Sequence, residues 1–302
     1  MSKDKFIIFH IDGGFGKNIA ATAVCKAIKN NYPDYKLIVV ASYPEAFINL
    51  QCIDRVFRTG VTPYFYDDYI NNKDVKIFRQ EPYFAESHIL QNKHLIETWC
   101  DIFDIEYSGE NPELVFNKRE LELAAATFNV DFNRPIFVFQ TNGGADSQPH
   151  KYSWSRDISN PVAQQVVNNI QDALKDNAQI FHIRRENQLS LAKTIAVSSN
   201  NRNLCGLIAL SHKRLLIDSF GQHAAAALNK PSVVCWIANT PKVFGYNLHF
   251  NFAPTIDKTF SHRIDSYLEE YEWTGSRAHE CPFDTDNIFD PNQISQLLLQ
   301  NI

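Results

Sequence analysis

Leu215-Leu-Ile-Asp-Ser-Phe-Gly-Gln-His-Ala-Ala-Ala-Ala-Leu-Asn-Lys-Pro-Ser-Val-Val-Cys-Trp236 is the stretch whose reading decides the fold. An apolar strand, Leu215 to Ile217, ends in Asp218 and Ser219. A turn at Gly221 opens a short Ala-rich helix. Asn229, Lys230 and Pro231 stop that helix, and a second apolar strand follows. The segment is a β-turn-α-β unit with a polar cluster at the strand end. In open α/β sheets ligands bind beyond the carboxyl ends of the strands. A helix that starts there turns free N–H groups and its positive dipole end toward the crevice, which suits a phosphate.

The same alternation runs outward from this segment. Phe6-Ile-Ile-Phe-His-Ile11 is a short, continuous, β-branched run that predicts a buried parallel strand. Gly13, Gly14 and Gly16 form the turn after it, and a helix is predicted from about Asn18 to Asn30, ended by Tyr32-Pro33-Asp34. Lys36 to Ala41 is a second strand, with weaker strand patterns at 55–58 and 75–78. Helical spacing recurs over 90–103 and 118–128. A second set begins with a strand over 136–140, then a helix over 162–174 and a strand over 180–183. The order β-α-β, twice, predicts an α/β protein of two doubly wound domains. They are placed at residues 1–130 and 131–302, with a terminal helix over 291–302.

A chain of 302 residues with 44% hydrophobic residues and 13% aromatics has enough material for two cored domains. The net charge of −5 is spread in mixed sign, so no broad basic surface for nucleic acid is read from it. The six cysteines are scattered without a CxxC pair, which points away from a zinc knuckle or a disulfide framework and toward a reducing, cytoplasmic setting. No signal-peptide h-region is seen, and no run approaches the roughly 18 apolar residues of a membrane span.

The turn Asp12-Gly-Gly-Phe-Gly-Lys-Asn18 fits neither common phosphate loop. A Walker A loop needs Gly where Ile11 stands and Ser or Thr where Asn18 stands, and the dinucleotide fingerprint needs a small residue at Ile19. What remains is a tight turn at a strand end, either purely structural or ligand-facing. Lys17 near a helix start opposes the dipole. It is read as a partner of an anion or as a solvated surface lysine. The loop from Thr141 to Arg156 carries His150, Lys151 and Arg156 among backbone donors. It suits a diphosphate as well as it suits plain solvent. Arg184-Arg185 follows a strand, where one of two consecutive residues faces the crevice. Arg184 is the candidate for a bidentate phosphate contact, with an ion pair to Glu186 as the alternative. His223 lies in the first turn of the Ala-rich helix, close to Asp218. His249, His262 and His279 have no recognised metal-ligand spacing, and no metal site is read.

Three segments, in order, resemble the heptosyltransferase-like glycosyltransferases (glycosyltransferase family 9). Asp218-Ser-Phe-Gly-Gln-His223, followed by Ala224 to Ala227 and Lys230-Pro231, resembles the family's Asp-Ser/Thr-Gly-x-x-His signature with its Ala-rich helix and Lys-Pro. Gly14-Phe-Gly-Lys-Asn-Ile-Ala-Ala-Thr-Ala-Val24, then Tyr32-Pro33, resembles the entry loop. Lys151-Tyr-Ser-Trp154 resembles the Lys-x-Trp region. The resemblance implies a GT-B fold, two Rossmann-like domains facing across a cleft, with the terminal helix returning to the N-terminal domain. It implies a nucleotide-sugar donor on the C-terminal domain, no metal or other cofactor, and inversion at the anomeric carbon. Carried over, Asp218, Ser219 and His223 contact the donor, and Lys151 contacts phosphate. The N-terminus of the helix at Gly221 adds to that relief of charge.

Two departures stand out. The family's acidic residue after the entry-loop glycine, its acceptor base, is Lys17 here, and the signature's glycine is shifted by one to Gly221. Asp12, at the end of the first strand, is therefore the candidate base. Lys17 would serve only with a strongly lowered pKa, and otherwise binds an anionic acceptor or the donor phosphate. The expected acceptor is a hydroxyl of a glycan, or of a hydroxylated base in phage DNA. A non-catalytic nucleotide-sugar-binding module and a sugar-nucleotide 2-epimerase of the same fold are the alternatives.

Overall fold

Alternation along the first strand sets the layers. In the computed structural model, which describes residues 3–143, 156–237, 239–254 and 284–302, β1 (Lys5–Ile11) turns Ile7, Phe9 and Ile11 to one face and Phe6 and Ile8 to the other. Both faces are apolar, as a strand covered on two sides requires. The helix α1 (Phe15–Asn31) covers the first face. It is buried almost all round, as expected of a helix packed on both sides, because a helix of the second half lies on its far side. β2 (Lys36–Ala41), β3 (Arg55–Arg58), α2 (Phe65–Tyr69) and β4 (Asp74–Phe78) complete a parallel sheet of order β3-β2-β1-β4. Two helices, α3 (Glu86–Ile89) and α4 (Leu95–Ile102), follow. α4 packs on α1, where Trp99 and Phe103 meet Phe9 edge-on at 5.5 Å.

α5 (Lys118–Thr127) opens with a capping box, in which Asn117 and Glu120 satisfy each other's backbone amides. It lies against a helix of the second half, Asn201–Leu210. The second sheet holds β5 (Ile136–Phe139), β6 (Gln179–Ile183), β7 (Ile195–Val197), β8 (Lys213–Ile217), β9 (Val233–Cys235) and β10 (Phe250–Phe252). All its pairings are parallel, in the order β10-β9-β8-β5-β6-β7. Between the strands run α6 (Asn160–Ala173), α7 (Asn201–Leu210), α8 (Phe220–Ala227) and α9 (Pro241–Phe244). The terminal helix is α10 (Pro291–Leu299).

The expected return of the terminal helix to the first domain does not occur. α10 packs on α6, β8 and β9, with Ile294 and Leu298 inside the apolar cluster on the outer face of the second sheet. The reason is local: Asp290 caps the helix, and Ile288 and Phe289 just before it are already buried in that cluster. The principal cluster passes from the first sheet through α1 and α8 to the second sheet, so the halves share one apolar seam.

Candidate active site

Each sheet reverses its strand order once, and ligands of such sheets bind at the reversal. In the first sheet the reversal lies at β1, whose neighbours are β2 and β4; in the second it lies at β5, between β6 and β8. The carboxyl ends of these strands face each other across a cleft of about 540 Å³. Gly14, Gly16 and Lys17 line it from one side, and Gln140, Ser219 and His223 from the other. Lys17, Arg156, Arg184 and Arg185 all line it, and no Asp or Glu does among the described residues. Two carboxylates stand just behind this lining: Glu81 is paired with Lys17, and Asp157 accepts from Asn142 and Gly143.

The glycine turn is held from inside. Asn18, fully buried, donates Nδ2 to the carbonyl of Gly14 at 2.9 Å and accepts the amide of Tyr43 at 3.3 Å. Gly13 takes φ +100°, a left-handed value that favours glycine, and lies against the stem of Lys17. Lys17 is not a solvated surface lysine, since only 4% of its side chain is exposed. Its ammonium pairs with Glu81 and sits 4.8 Å from the Tyr83 ring centre and 5.4 Å from that of Trp99. Burial pushes its pKa down, and Glu81 and then Asp12 push it back. Asp12, the expected base, is not itself a lining residue of the cleft; it stands just outside this pair, half exposed and 3.4 Å from Nδ1 of His10.

On the opposite wall Gln140 organises the start of α8. Its Nε2 donates to Oγ of Ser219 at 3.1 Å, and its Oε1 accepts the amide of Gly221 at 3.0 Å. A Cβ on Gly221 would lie 2.4 Å from that oxygen, so the clamp needs glycine. Gly221, expected at the donor, does not line the cleft, and its amide is engaged by Gln140. Asp218, expected on the donor, instead accepts the side-chain amide of Asn239 and does not line the cleft. Ser219 and His223 do line it. Arg184 lines it too, but its Nη1 donates to the carbonyls of Arg185, Glu186 and Gln188 at 3.1, 3.3 and 2.8 Å. It shapes the turn after β6 rather than pairing with the Glu186 carboxylate. Lys151 lies outside the described residues. Both ends of its loop are anchored at the cleft, where Gly143 donates its amide to Asp157 at 2.8 Å and Arg156 lines the wall.

Sequence reasoning missed Glu81, Gln140, Asn18 and Tyr246. Gln140 carried a signal, a polar residue ending a run of four buried apolar ones. Glu81 carried none, because it reaches Lys17 only through the pairing of Phe9 with Phe78 across β1 and β4.

Two Rossmann-like sheets facing across a cleft at their switch points define the GT-B fold. Solved structures share it. The ADP-heptose lipopolysaccharide heptosyltransferase II of E. coli matches at 13% identity with a TM-score of 0.61, over 88% of this chain and 97% of its own. A glycosyltransferase family 9 protein from Veillonella parvula matches at 12% identity and a TM-score of 0.67, over 100% and 99%. The dodecameric, iron-containing heptosyltransferase TibC, solved with ADP-D-β-D-heptose, matches at 11% identity and a TM-score of 0.59, over 98% and 73%. No family model and no curated protein matches the sequence.

Proposed function

We propose that this chain is a glycosyltransferase that moves a sugar from a nucleoside-diphosphate donor to a hydroxyl acceptor, with inversion. The observation that carries the reading is the switch-point cleft, whose charged lining among the described residues is Lys17, Arg156, Arg184 and Arg185. Its size falls within the usual range for small-ligand sites. Ile183, Val197 and Leu204 form an apolar wall beside Ser198 and Asn201, which suits a nucleobase and ribose. Arg156, Arg185 and Lys17 lie where a diphosphate between that wall and α8 would meet them.

In the reaction the acceptor oxygen bonds to the anomeric carbon as the bond from that carbon to the β-phosphate oxygen breaks. The acceptor proton passes to the Asp12 carboxylate. The charge that develops on the departing diphosphate is met by the cations of the chain itself, in positions set before reaction. Lys17, paired with Glu81, serves as one of these cations rather than as the base. The ADP-heptose of two structural neighbours favours an ADP-sugar as donor. The acceptor is a glycan hydroxyl, with a hydroxylated DNA base as the other class. Among the described residues no helix is long and apolar enough to cross a membrane, so a lipid-linked acceptor would be met from the aqueous side.

The test is nucleoside diphosphate release from a panel of nucleotide sugars, with and without acceptors. Acceptor-dependent release supports the transferase. Release without acceptor favours a hydrolase or epimerase. The absence of any nucleotide-sugar binding overturns the reading. Asp12→Asn is expected to lower kcat by about 10²–10⁴ with donor affinity retained; full turnover by that variant removes Asp12 from the base role.

A further inference from the structure

Behind the cleft, His223 is held by one side chain. Its Nδ1 lies 2.8 Å from the hydroxyl of Tyr246, and the two rings meet edge to face with centres 5.6 Å apart. Tyr246 comes from the segment after α9, is 8% exposed, and belongs to the principal apolar cluster. Its ring also meets His94 and His249. Among the described residues, Nδ1 of His223 is the hydrogen-bond partner found for the Tyr246 hydroxyl. A buried phenol O–H seeks an acceptor. A neutral imidazole offers one only at the nitrogen that lacks the proton. If Nδ1 carried the proton, it would occupy the phenol oxygen and leave the phenol hydrogen unplaced.

The opposite edge of the ring faces the cleft. His223 lines the cavity, and its Cδ2–Nε2 edge lies against Gly16, where a Cβ would sit 2.8 Å from Cδ2 and 3.5 Å from Nε2. Burial, with His94 and His249 nearby, pushes the His223 pKa down to about 3. The ring is therefore neutral, with one proton to place.

We propose that Tyr246 is a positioning residue that donates to Nδ1 of His223 and so fixes its proton on Nε2, presenting an uncharged N–H donor to the ligand in the cleft. This rests on the donor-site reading above. The ligand atom it suits is an oxygen of the diphosphate or of the transferred sugar. Histidine in this state donates a hydrogen bond and does not serve as a base.

The tautomer is read without any ligand, from long-range ¹H–¹⁵N correlations of the imidazole side chains, with the His223 signals assigned by their loss in His223→Gln. The expected pattern is a protonated Nε2 and an unprotonated, hydrogen-bonded Nδ1. Tyr246→Phe should move the Nδ1 signal to its free position. It should also raise the Kd of whichever of ADP, UDP, GDP or CDP binds the wild-type protein by roughly tenfold, because the ring loses the partner that fixes its orientation and the place of its proton. A protonated Nδ1 in the wild-type protein overturns the proposal, and this holds even if the variant fails to fold. So does a Tyr246→Phe protein that keeps nucleotide affinity within about twofold. If none of the four nucleotides binds, the donor-site reading fails together with the ligand role of His223, while the spectrum still decides the tautomer.

Discussion

Changing Glu81 to Gln tests whether the lysine at the cleft is a buried cation that depends on one carboxylate. The Lys17 side chain is 4% exposed and that of Glu81 26%, so the pair is asymmetric: the cation is dry and the anion partly wet. Removing one partner of a buried pair costs about 3–5 kcal/mol. Part of that is recovered here. The Gln oxygen still accepts a hydrogen bond, and Tyr83 and Trp99 still offer their ring faces, worth about 1 kcal/mol or more. The expected loss for Glu81→Gln is therefore about 2 kcal/mol, read by urea unfolding at pH 7. Lys17→Met should cost less, because the stranded carboxylate already touches water. The double variant should lie within about 1 kcal/mol of the wild-type protein, since neither charge is then stranded.

The pH dependence has a definite sign. Lys17 has a lowered pKa in the folded protein, so between that value and the unfolded one the unfolded chain binds more protons, and stability rises with pH. Losing Glu81 removes the largest influence that opposes burial, so the rise should begin at lower pH in Glu81→Gln. A Glu81→Gln protein within about 0.5 kcal/mol of the wild-type protein, or single-variant costs that simply add in the double variant, would refute the buried-pair argument.

Acid should unfold this protein early. Burial pushes His182 and His249 down to about 4 and His223 to about 3. Between those values and about 6.5 the unfolded chain binds more protons, so stability is complete above that window and falls as pH drops through it, by about 1.4 kcal/mol per unit for each group. Urea unfolding from pH 7 to 4.5 checks this, and His249→Asn should flatten the slope relative to the wild-type protein. Gly16→Ala should cost roughly 1–3 kcal/mol and weaken nucleotide binding. Its Cβ would lie 2.8 Å from the His223 ring and 3.2 Å from the Phe220 Cα, forcing α1 and α8 apart. Gly14→Ala, with nothing within 4 Å of its Cβ, should be near neutral, and equal effects of the two in thermal unfolding would contradict that geometry.

Much of the fold was legible because its signals are local. Phe6 to Ile11 and Lys36 to Ala41 read as strands, and Asn117-Lys-Arg-Glu120 announces its helix through a capping box. Short elements such as β7, β10 and α9, at three or four residues each, are too brief for a period to show. The terminal helix was recognisable from its spacing, but its docking face was not, since Ile294 and Leu298 suit any apolar surface.

The site divides in the same way. Residues at strand ends, namely Gly14, Gly16, Lys17, Ser219 and His223, could be placed at the cleft from sequence because chain direction alone brings carboxyl ends together in parallel sheets. Their states could not be read. Lys17 read as the partner of an anion or as a solvated surface lysine, and only the pairing of β1 with β4 brought Glu81 to it from 64 positions away. Gly221 was legible as the start of a helix, but not that Gln140, 81 positions distant, holds its amide. His223 could be placed beside the donor by resemblance, but only the structure set Tyr246 on one nitrogen and the cleft beside the other edge of the ring. Sequence determined where the chain turns and which residues arrive at the crevice, because those follow from hydrophobic period and chain direction. Only the tertiary structure decided the charge and hydrogen-bond role of each, because these depend on burial and on partners brought together by strand register and the packing of the two halves.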